Sequence, residues 1–244
     1  MFDFQGIKNA DNRANRVRDM FGAIAGRYDF LNHFLSANLD RRWRRICVQE
    51  VEKKIVVPHP SVLDVGCGTG DLSLVFSRLG PVTGCDFCHP MLQIGNRKIA
   101  KSSCSSPIFL LEADALALPF ADASFDIVVS AFVLRNLADM DRGFREMRRV
   151  LRPKGLLAVL EFGMPRTSFL ASLYRLYFSK LLPKVGKLVS GVDGPYAYLP
   201  DSVQAFPPVE ELAKMVERAG FRHVEYKLLS SGVAVLLIGR ADPE

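Results

Sequence analysis

Three glycines at alternate positions, Gly66, Gly68 and Gly70, follow the apolar run Val62-Leu63-Asp64-Val65 and precede Asp71. Glycines placed there let a chain turn sharply out of a buried strand and let its backbone come into contact with a ligand. The spacing is G-x-G-x-G. A dinucleotide pyrophosphate expects G-x-G-x-x-G, and a P-loop needs a following G-K-[ST], which is absent here. Acids at both ends of the loop, Asp64 and Asp71, make a poor cradle for phosphate but suit a cation. Asp86 ends the next apolar run, where its carboxylate can accept hydrogen bonds from both hydroxyls of a ribose. Asp114 lies in Ala113-Asp114-Ala115 after a third run, where a side-chain acceptor and the Ala115 amide could meet an adenine edge. Together these residues suit a nucleoside that carries positive charge.

Such residues need elements to position them. Residues 1–40 are polar and then aromatic, with Val17, Met20, Phe21 and Ile24 at helical spacing, which predicts a helix over Val17–Ala25. Arg41–Lys54 reads as a second helix with Asp40 as its N-cap, and Pro58 and Pro60 close this leader. An alternation follows: strands at Ser61–Val65, Val82–Asp86, Ile108–Glu112, Phe125–Ala131 and Leu156–Glu161, with helices at Asp71–Leu79, Pro90–Lys101 and Asp141–Leu151. Strands and helices alternating in this way imply a parallel sheet covered on both faces. After a strandless stretch at 165–206 come a helix over Pro208–Ala219 and two runs, Arg222–Leu229 and Val233–Gly239, that read as a hairpin across Ser230-Ser231-Gly232. The expectation is an α/β, doubly wound, mostly parallel seven-stranded sheet in which the C-terminal hairpin supplies one antiparallel edge strand. Residues 1–60 form a helical leader over the site, and 61–244 the ligand-binding domain with a basic amphipathic insertion at about 165–206.

The glycine loop, the ribose acid and the post-strand aspartate resemble those of S-adenosylmethionine-dependent methyltransferases. Further strings narrow the likeness. Met20-Phe21-Gly22-Ala23-Ile24-Ala25-Gly26-Arg27-Tyr28-Asp29-Phe30-Leu31-Asn32 resembles the M-F-x-x-I-A-x-x-Y-D-x-L-N of the C-methyltransferases that act on demethylmenaquinone and polyprenyl-benzoquinol rings. Leu118-Pro119-Phe120, Ser124-Phe125-Asp126, Phe132-Val133-Leu134-Arg135-Asn136, Arg149-Val150-Leu151-Arg152-Pro153-Lys154-Gly155 and Leu160-Glu161-Phe162 continue it. Tyr198-Leu199-Pro200-Asp201-Ser202-Val203 and Ala219-Gly220-Phe221 carry it to near the C-terminus, so the likeness spans roughly residues 17–239. Three positions depart from that family's pattern: Val133 stands where glycine is usual, Leu237 where histidine is frequent, and Asn38 where glycine is common.

The resemblance implies methyl transfer from S-adenosylmethionine to a ring carbon of a polyprenylated quinol, demethylmenaquinol to menaquinol, with S-adenosylhomocysteine as the other product. The ubiquinone-pathway benzoquinol is the alternative ring, and a different lipid or phenolic acceptor a further one. A non-catalytic subunit that keeps the donor fold is the reading from another class. The resemblance places Gly66, Gly68, Thr69, Gly70, Asp86, Asp114 and Ala115 at the donor, Arg135 and Asn136 at the reacting ring, and Tyr28 and Val133 at the acceptor. Arg135, protonated at any physiological pH, would stabilise a developing phenolate rather than act as the base. Otherwise it would be a surface ion pair with Asp139 or Asp141. Val133 would narrow the ring pocket.

The remaining composition excludes other classes. The charge of +6 from 32 basic and 26 acidic residues is spread along the chain, with no aromatic-and-basic signature for nucleic acid. The five cysteines, Cys47, Cys67, Cys85, Cys88 and Cys104, lie in apolar surroundings and read as reduced thiols of a cytoplasmic protein. Cys85-Asp86-Phe87-Cys88 has no second cysteine pair to complete a zinc site, and His33, His59, His89 and His223 read as surface or cap residues, so no metal is implied. No apolar run approaches the ~20 residues of a membrane span, and no signal peptide is apparent. Between Pro165 and Lys187 five basic residues and no acid alternate with aromatic and leucine side chains. Such a segment suits peripheral contact with the inner face of a membrane, a wall for a prenyl tail, or simply packing on the sheet. A second copy of the chain remains open as a partner.

Overall fold

A computed structural model describes residues 10–163, 165, 202–203 and 205–242. The strands are β1 (Val62–Val65), β2 (Val82–Asp86), β3 (Ile108–Glu112), β4 (Phe125–Ala131), β5 (Leu151–Phe162), β6 (Arg222–Leu229) and β7 (Ala234–Arg240). They form one sheet in the order β3-β2-β1-β4-β5-β7-β6. The chain runs outward from β1 to β3 and then returns to lay β4 on the other side of β1. Where strand order reverses in this way, connections leave in opposite directions and a crevice opens beyond the carboxyl ends. Gly66–Gly70 and the residues after β4 stand at that opening.

The apolar pattern explains the layers. All four residues of β1 are buried, as expected of a parallel strand covered on both faces. Alternation then divides the core. Leu63, Val65, Val128, Leu157 and Val159 face α6 (Met140–Val150) and α7 (Val209–Arg218). Val62, Ile127, Val129, Leu156 and Ala158 face α3 (Leu39–Glu52) and α4 (Asp71–Phe76). Trp43 of α3 is fully buried there, and its indole N–H donates to Ser230 Oγ at 3.0 Å. The last leader helix is thus a layer of the core. Ahead of it, α1 (Ala10–Ile24) lies along α5 (His89–Ala100), and a short α2 (Tyr28–Leu35), absent from the sequence expectation, joins α1 to α3.

Several expectations need correction. The antiparallel strand is β7, which lies inside the sheet between β5 and β6, while the edge strand β6 runs parallel to the rest. Burial gives the reason: six of the seven β7 residues are buried, whereas β6 is exposed at most positions and suits an edge. The cap of α3 is not Asp40. The helix begins at Leu39 after Asn38, whose φ of +60° asparagine tolerates, and Asp40 is drawn inward by an ion pair with Arg44 one turn on. Strand β5 begins at Leu151, five residues early, through a bulge opposite Phe125–Ile127. The basic segment at 165–187 lies, apart from Pro165, outside the described residues.

Asp64 of β1 is 1% exposed and receives the Ser73 hydroxyl at 2.6 Å. Burial pushes its carboxyl up from 3.8 to about 7, the Ser73 bond opposing. Between those values the folded chain holds a proton that the unfolded chain has released, so this group's contribution to stability falls as pH rises from about 4 to about 7 and then levels. Asp64→Asn should flatten that slope in thermal unfolding followed against pH; an unchanged slope would sink the assignment.

Candidate active site

Gly66, Gly68 and Gly70 all adopt positive φ, +70°, +55° and +80°. The turn they make is tied down from β2. Asp86 Oδ2 accepts the Gly68 N–H at 2.9 Å, and Oδ1 accepts the Cys88 N–H at 2.9 Å. Burial raises the Asp86 carboxyl above the usual range, the bonds from Cys88 and Gly68 opposing. The Phe87 N–H bonds the same carboxylate, whose remaining acceptor capacity faces the crevice.

A crevice of about 350 Å³ opens here. Gly66, Gly68 and Asp86 line one side, Asp114 and Ala115 the end beyond β3, and Phe132, Val133 and Asn136 the side after β4. Arg18, Phe21 and Tyr28 reach in from the leader. The residues fit a nucleoside donor: an acid with spare acceptor capacity, backbone that approaches without a Cβ, and Asp114 already folded into a tight turn by accepting the Leu116 N–H at 2.9 Å. Val133 rests directly on the loop, since a Cβ at Gly66 would lie 2.4 Å from Val133 Cγ2. Gly66→Ala should therefore cost about 2 kcal/mol by overpacking at a left-handed position, and Val133→Gly should restore part of it. Urea unfolding of the single and double variants measures this, and a cost independent of Val133 would contradict it.

Thr69 and Gly70 do not line the crevice. Thr69 is 2% exposed and points away from the crevice, its hydroxyl donating to Asp29 Oδ1 at 2.5 Å. Lys98 of α5 reaches the same cluster, with Nζ 2.6 Å from Asp29, 2.6 Å from Asp71 and 3.0 Å from Thr69 Oγ1. The leader is thus fastened to the loop through side chains on three elements. Asp71, read from sequence as suited to a bound cation, has cations of the protein beside it. Burial alone would raise its carboxyl, but Arg44 and Lys98 hold it below the ordinary range. His33 is not the surface residue expected: it is half-buried, with Nδ1 2.7 Å from Asp40 and Nε2 3.6 Å from Asp71. Among the described residues these three are the one group with converging metal-ligating atoms, and Arg44 and Lys98 already neutralise both acids. The Cys85 and Cys88 thiols are pushed up by burial to about 12 and about 11, which leaves them unreactive.

Arg135 and Asn136 belong to a single 3₁₀ turn, Leu134–Asn136, directly after β4. The alternative for Arg135, a surface pairing with Asp139 or Asp141, does not form; Asp139 instead caps α6 by accepting the Arg142 N–H at 2.8 Å. Arg135 Nη1 donates to Glu161 Oε2 at 2.9 Å, with side chains 7% and 1% exposed, and its guanidinium lies 5.2 Å from the Phe162 ring centre. Sequence reasoning missed Glu161 as a site residue; its signal was an acid closing the apolar run Leu156–Leu160. Burial raises the Glu161 carboxyl, and Arg135 opposes the rise. Asn136 lines the crevice, its Nδ2 donating to the Phe132 carbonyl at 3.4 Å while its Oδ1 is buried with no hydrogen-bond partner among the described residues. Tyr28 is partly buried; burial raises its phenol and the Arg135 charge opposes. The Phe132 and Phe162 rings, 4.5 Å apart, separate this crevice from a second, largely apolar cavity of about 400 Å³ lined by Phe162, Val203, Phe206 and Val235.

A sheet of this order with a crevice opening after β1 is the fold of S-adenosylmethionine-dependent methyltransferases. It is shared with a Thermotoga maritima protein solved as a SAM-dependent methyltransferase and possible histamine N-methyltransferase: TM-score 0.63, 20% identity, 92% of this chain and 99% of that one. The [4+2]-cyclase SpnF shares it too, at TM-score 0.68 and 17% identity over 95% and 97% of the two chains. The chain belongs to the ubiE/COQ5 methyltransferase family, whose profile matches residues 8–240. Similar proteins include the demethylmenaquinone methyltransferases of Thermus thermophilus (46% identical over 223 residues, 90% of this chain and 99% of that one) and Deinococcus radiodurans (42% over 236 residues, 96% and 95%). The ubiquinone/menaquinone biosynthesis C-methyltransferase UbiE of Geotalea daltonii is 39% identical over 231 residues, 93% and 97% of the two chains. No helix among the described residues is long and apolar enough to cross a membrane.

Proposed function

We propose that this methyltransferase uses S-adenosylmethionine to C-methylate a polyprenylated quinol, demethylmenaquinol to menaquinol. The observation that carries the reading is the turn after β4, whose Asn136 lines the crevice opposite Asp86 while Arg135 lies buried behind that lining and acts on Tyr28 within it, in a chain whose relatives bear the name demethylmenaquinone methyltransferase. The relatives named for both ubiquinone and menaquinone biosynthesis favour a benzoquinol as the second reading.

When bound, the donor supplies an electrophilic methyl group on a sulfonium. Asp86 would accept its ribose hydroxyls, Asp114 and the Ala115 N–H would meet its base, and Gly66 and Gly68 would admit it closely. Thr69 and Gly70 would act on the loop's shape, through the Asp29 and Lys98 anchor. Carboxylates on the crevice wall favour a cationic ligand over a neutral one. On the acceptor side, loss of a phenolic proton raises electron density on the neighbouring ring carbon. Arg135 would stabilise that developing phenolate, and the vacant acceptor of Asn136 would hold the hydroxyl or a water that takes its proton. Tyr28 and Val133 would confine the ring, and holding carbon and methyl in line supplies much of the rate. The apolar cavity beyond Phe162 suits the acceptor's prenyl tail.

The test is incubation of the purified chain with labelled donor and a panel of reduced naphthoquinols and benzoquinols, with quinone profiling in a host lacking its own ring methyltransferase. Labelled menaquinol and restored methylated quinone are expected. Methylation of a non-quinone acceptor, with none of a demethylated quinol, would overturn the reading.

A further inference from the structure

We propose that Glu161 is a positioning residue for the methyl transfer, setting the orientation of the Arg135 guanidinium and of the turn that presents Asn136; this rests on the acceptor-side role given to Arg135 above. A carboxylate 1% exposed at the end of an apolar strand is costly unless its oxygens are satisfied. Here Oε1 accepts the Leu134 N–H at 2.8 Å, and Oε2 accepts Arg135 Nη1 at 2.9 Å and the Phe162 N–H at 3.2 Å. One side chain on β5 thus holds both the first residue of the 3₁₀ turn and the cation that follows it. The guanidinium is held a second time through its face by Phe162, whose ring packs on Phe132 in the crevice wall. An apolar pair would fill the same core space at lower electrostatic cost, so stability alone gives little reason for the charges. Fixing a planar fork at the edge of a reaction site gives one: its donors then need no reorganisation as charge develops on the acceptor. Glu161 lines the second cavity beside Phe162, and touches none of Gly66, Gly68, Asp86 and Asp114 on the donor wall, so its effect falls on the acceptor side.

Glu161→Gln keeps the shape and an acceptor for the Leu134 N–H but removes the charge. Its kcat should fall roughly 10- to 100-fold, the size of a lost charge-assisted hydrogen bond, while donor affinity by calorimetry stays within about threefold. Because Glu161 acts through Arg135, adding Glu161→Gln to Arg135→Met should lower kcat by less than about twofold further. Should Arg135→Met not fold, Arg135→Gln, which removes the charge but keeps an N–H donor for Glu161, replaces it with the same expectation. A near-native kcat for Glu161→Gln, losses that multiply in the double variant, or an equal loss of donor affinity would each overturn the proposal. Wild-type turnover of the reduced quinol in the same assay separates the two readings. Turnover with Glu161→Gln unaffected removes the role of Glu161 alone, whereas no wild-type turnover removes the acceptor assignment and this role with it.

Discussion

Replacing Arg135 with alanine is expected to lower kcat by roughly 10³-fold while leaving the donor's dissociation constant within about threefold. The guanidinium would face charge that appears only as the phenol loses its proton, so its removal weakens the transition state and not donor binding. Stability should fall as well, since Glu161 would be left buried with no opposite charge, a loss of about 3–5 kcal/mol for a broken buried pair. Arg135→Met, together with Glu161→Gln, removes both charges and separates the two effects: stability should return while kcat stays low. Calorimetry with the donor and single-turnover kinetics with reduced quinol make the measurement. Weakened donor binding with unchanged chemistry would refute the acceptor-side role.

Asp86→Ala should act on the other substrate, raising the donor's dissociation constant by roughly 100-fold or more. Two ribose hydroxyls would lose a charged acceptor, and the Gly68 and Cys88 N–H groups would lose the partner that shapes the glycine turn. The pH dependence has a definite sign. Burial raises the Asp86 carboxyl, so in the free protein it takes up a proton above the usual carboxylate range. Donor affinity, which needs the ionised form, should therefore weaken as pH falls through that raised value and be steady above it. Asp86→Asn should bind weakly at every pH and show no such fall. Full affinity in Asp86→Ala would place the nucleoside elsewhere.

What the sequence announces and what it hides divide along sequence separation. The glycine turn, Asp86 and Asp114 sit at strand ends that hydrophobic runs mark locally, and Gly66, Gly68, Asp86 and Asp114 line one crevice while Thr69 and Gly70 do not. Arg135 and Glu161 lie on different strand ends, and Thr69 meets Asp29 across 40 residues. Those pairs depend on how the sheet is ordered, which no local pattern records. The same holds for Asp40: Asp-Arg-Arg at the start of a basic helix looks like a cap, and only the approach of Arg44 and His33 draws it inside. The β7 position was within reach, because a run as apolar as Ala-Val-Leu-Leu-Ile is poorly suited to an edge.

The interior place of β7 bears on how the protein is made. Ala234 pairs with Phe162 and Val235 with Glu161, so the strand that flanks the buried acid is the last of the seven to emerge from a ribosome. Until residue 240 is free, a nascent chain carries β5 as an open, sticky border, and Glu161, though already bonded to Leu134 and Arg135, lacks the strand that covers that side. Donor-binding half and acceptor half thus mature at different times, and a stalled or prematurely ended translation product should hold the nucleoside crevice yet be retained by chaperones rather than released as active enzyme.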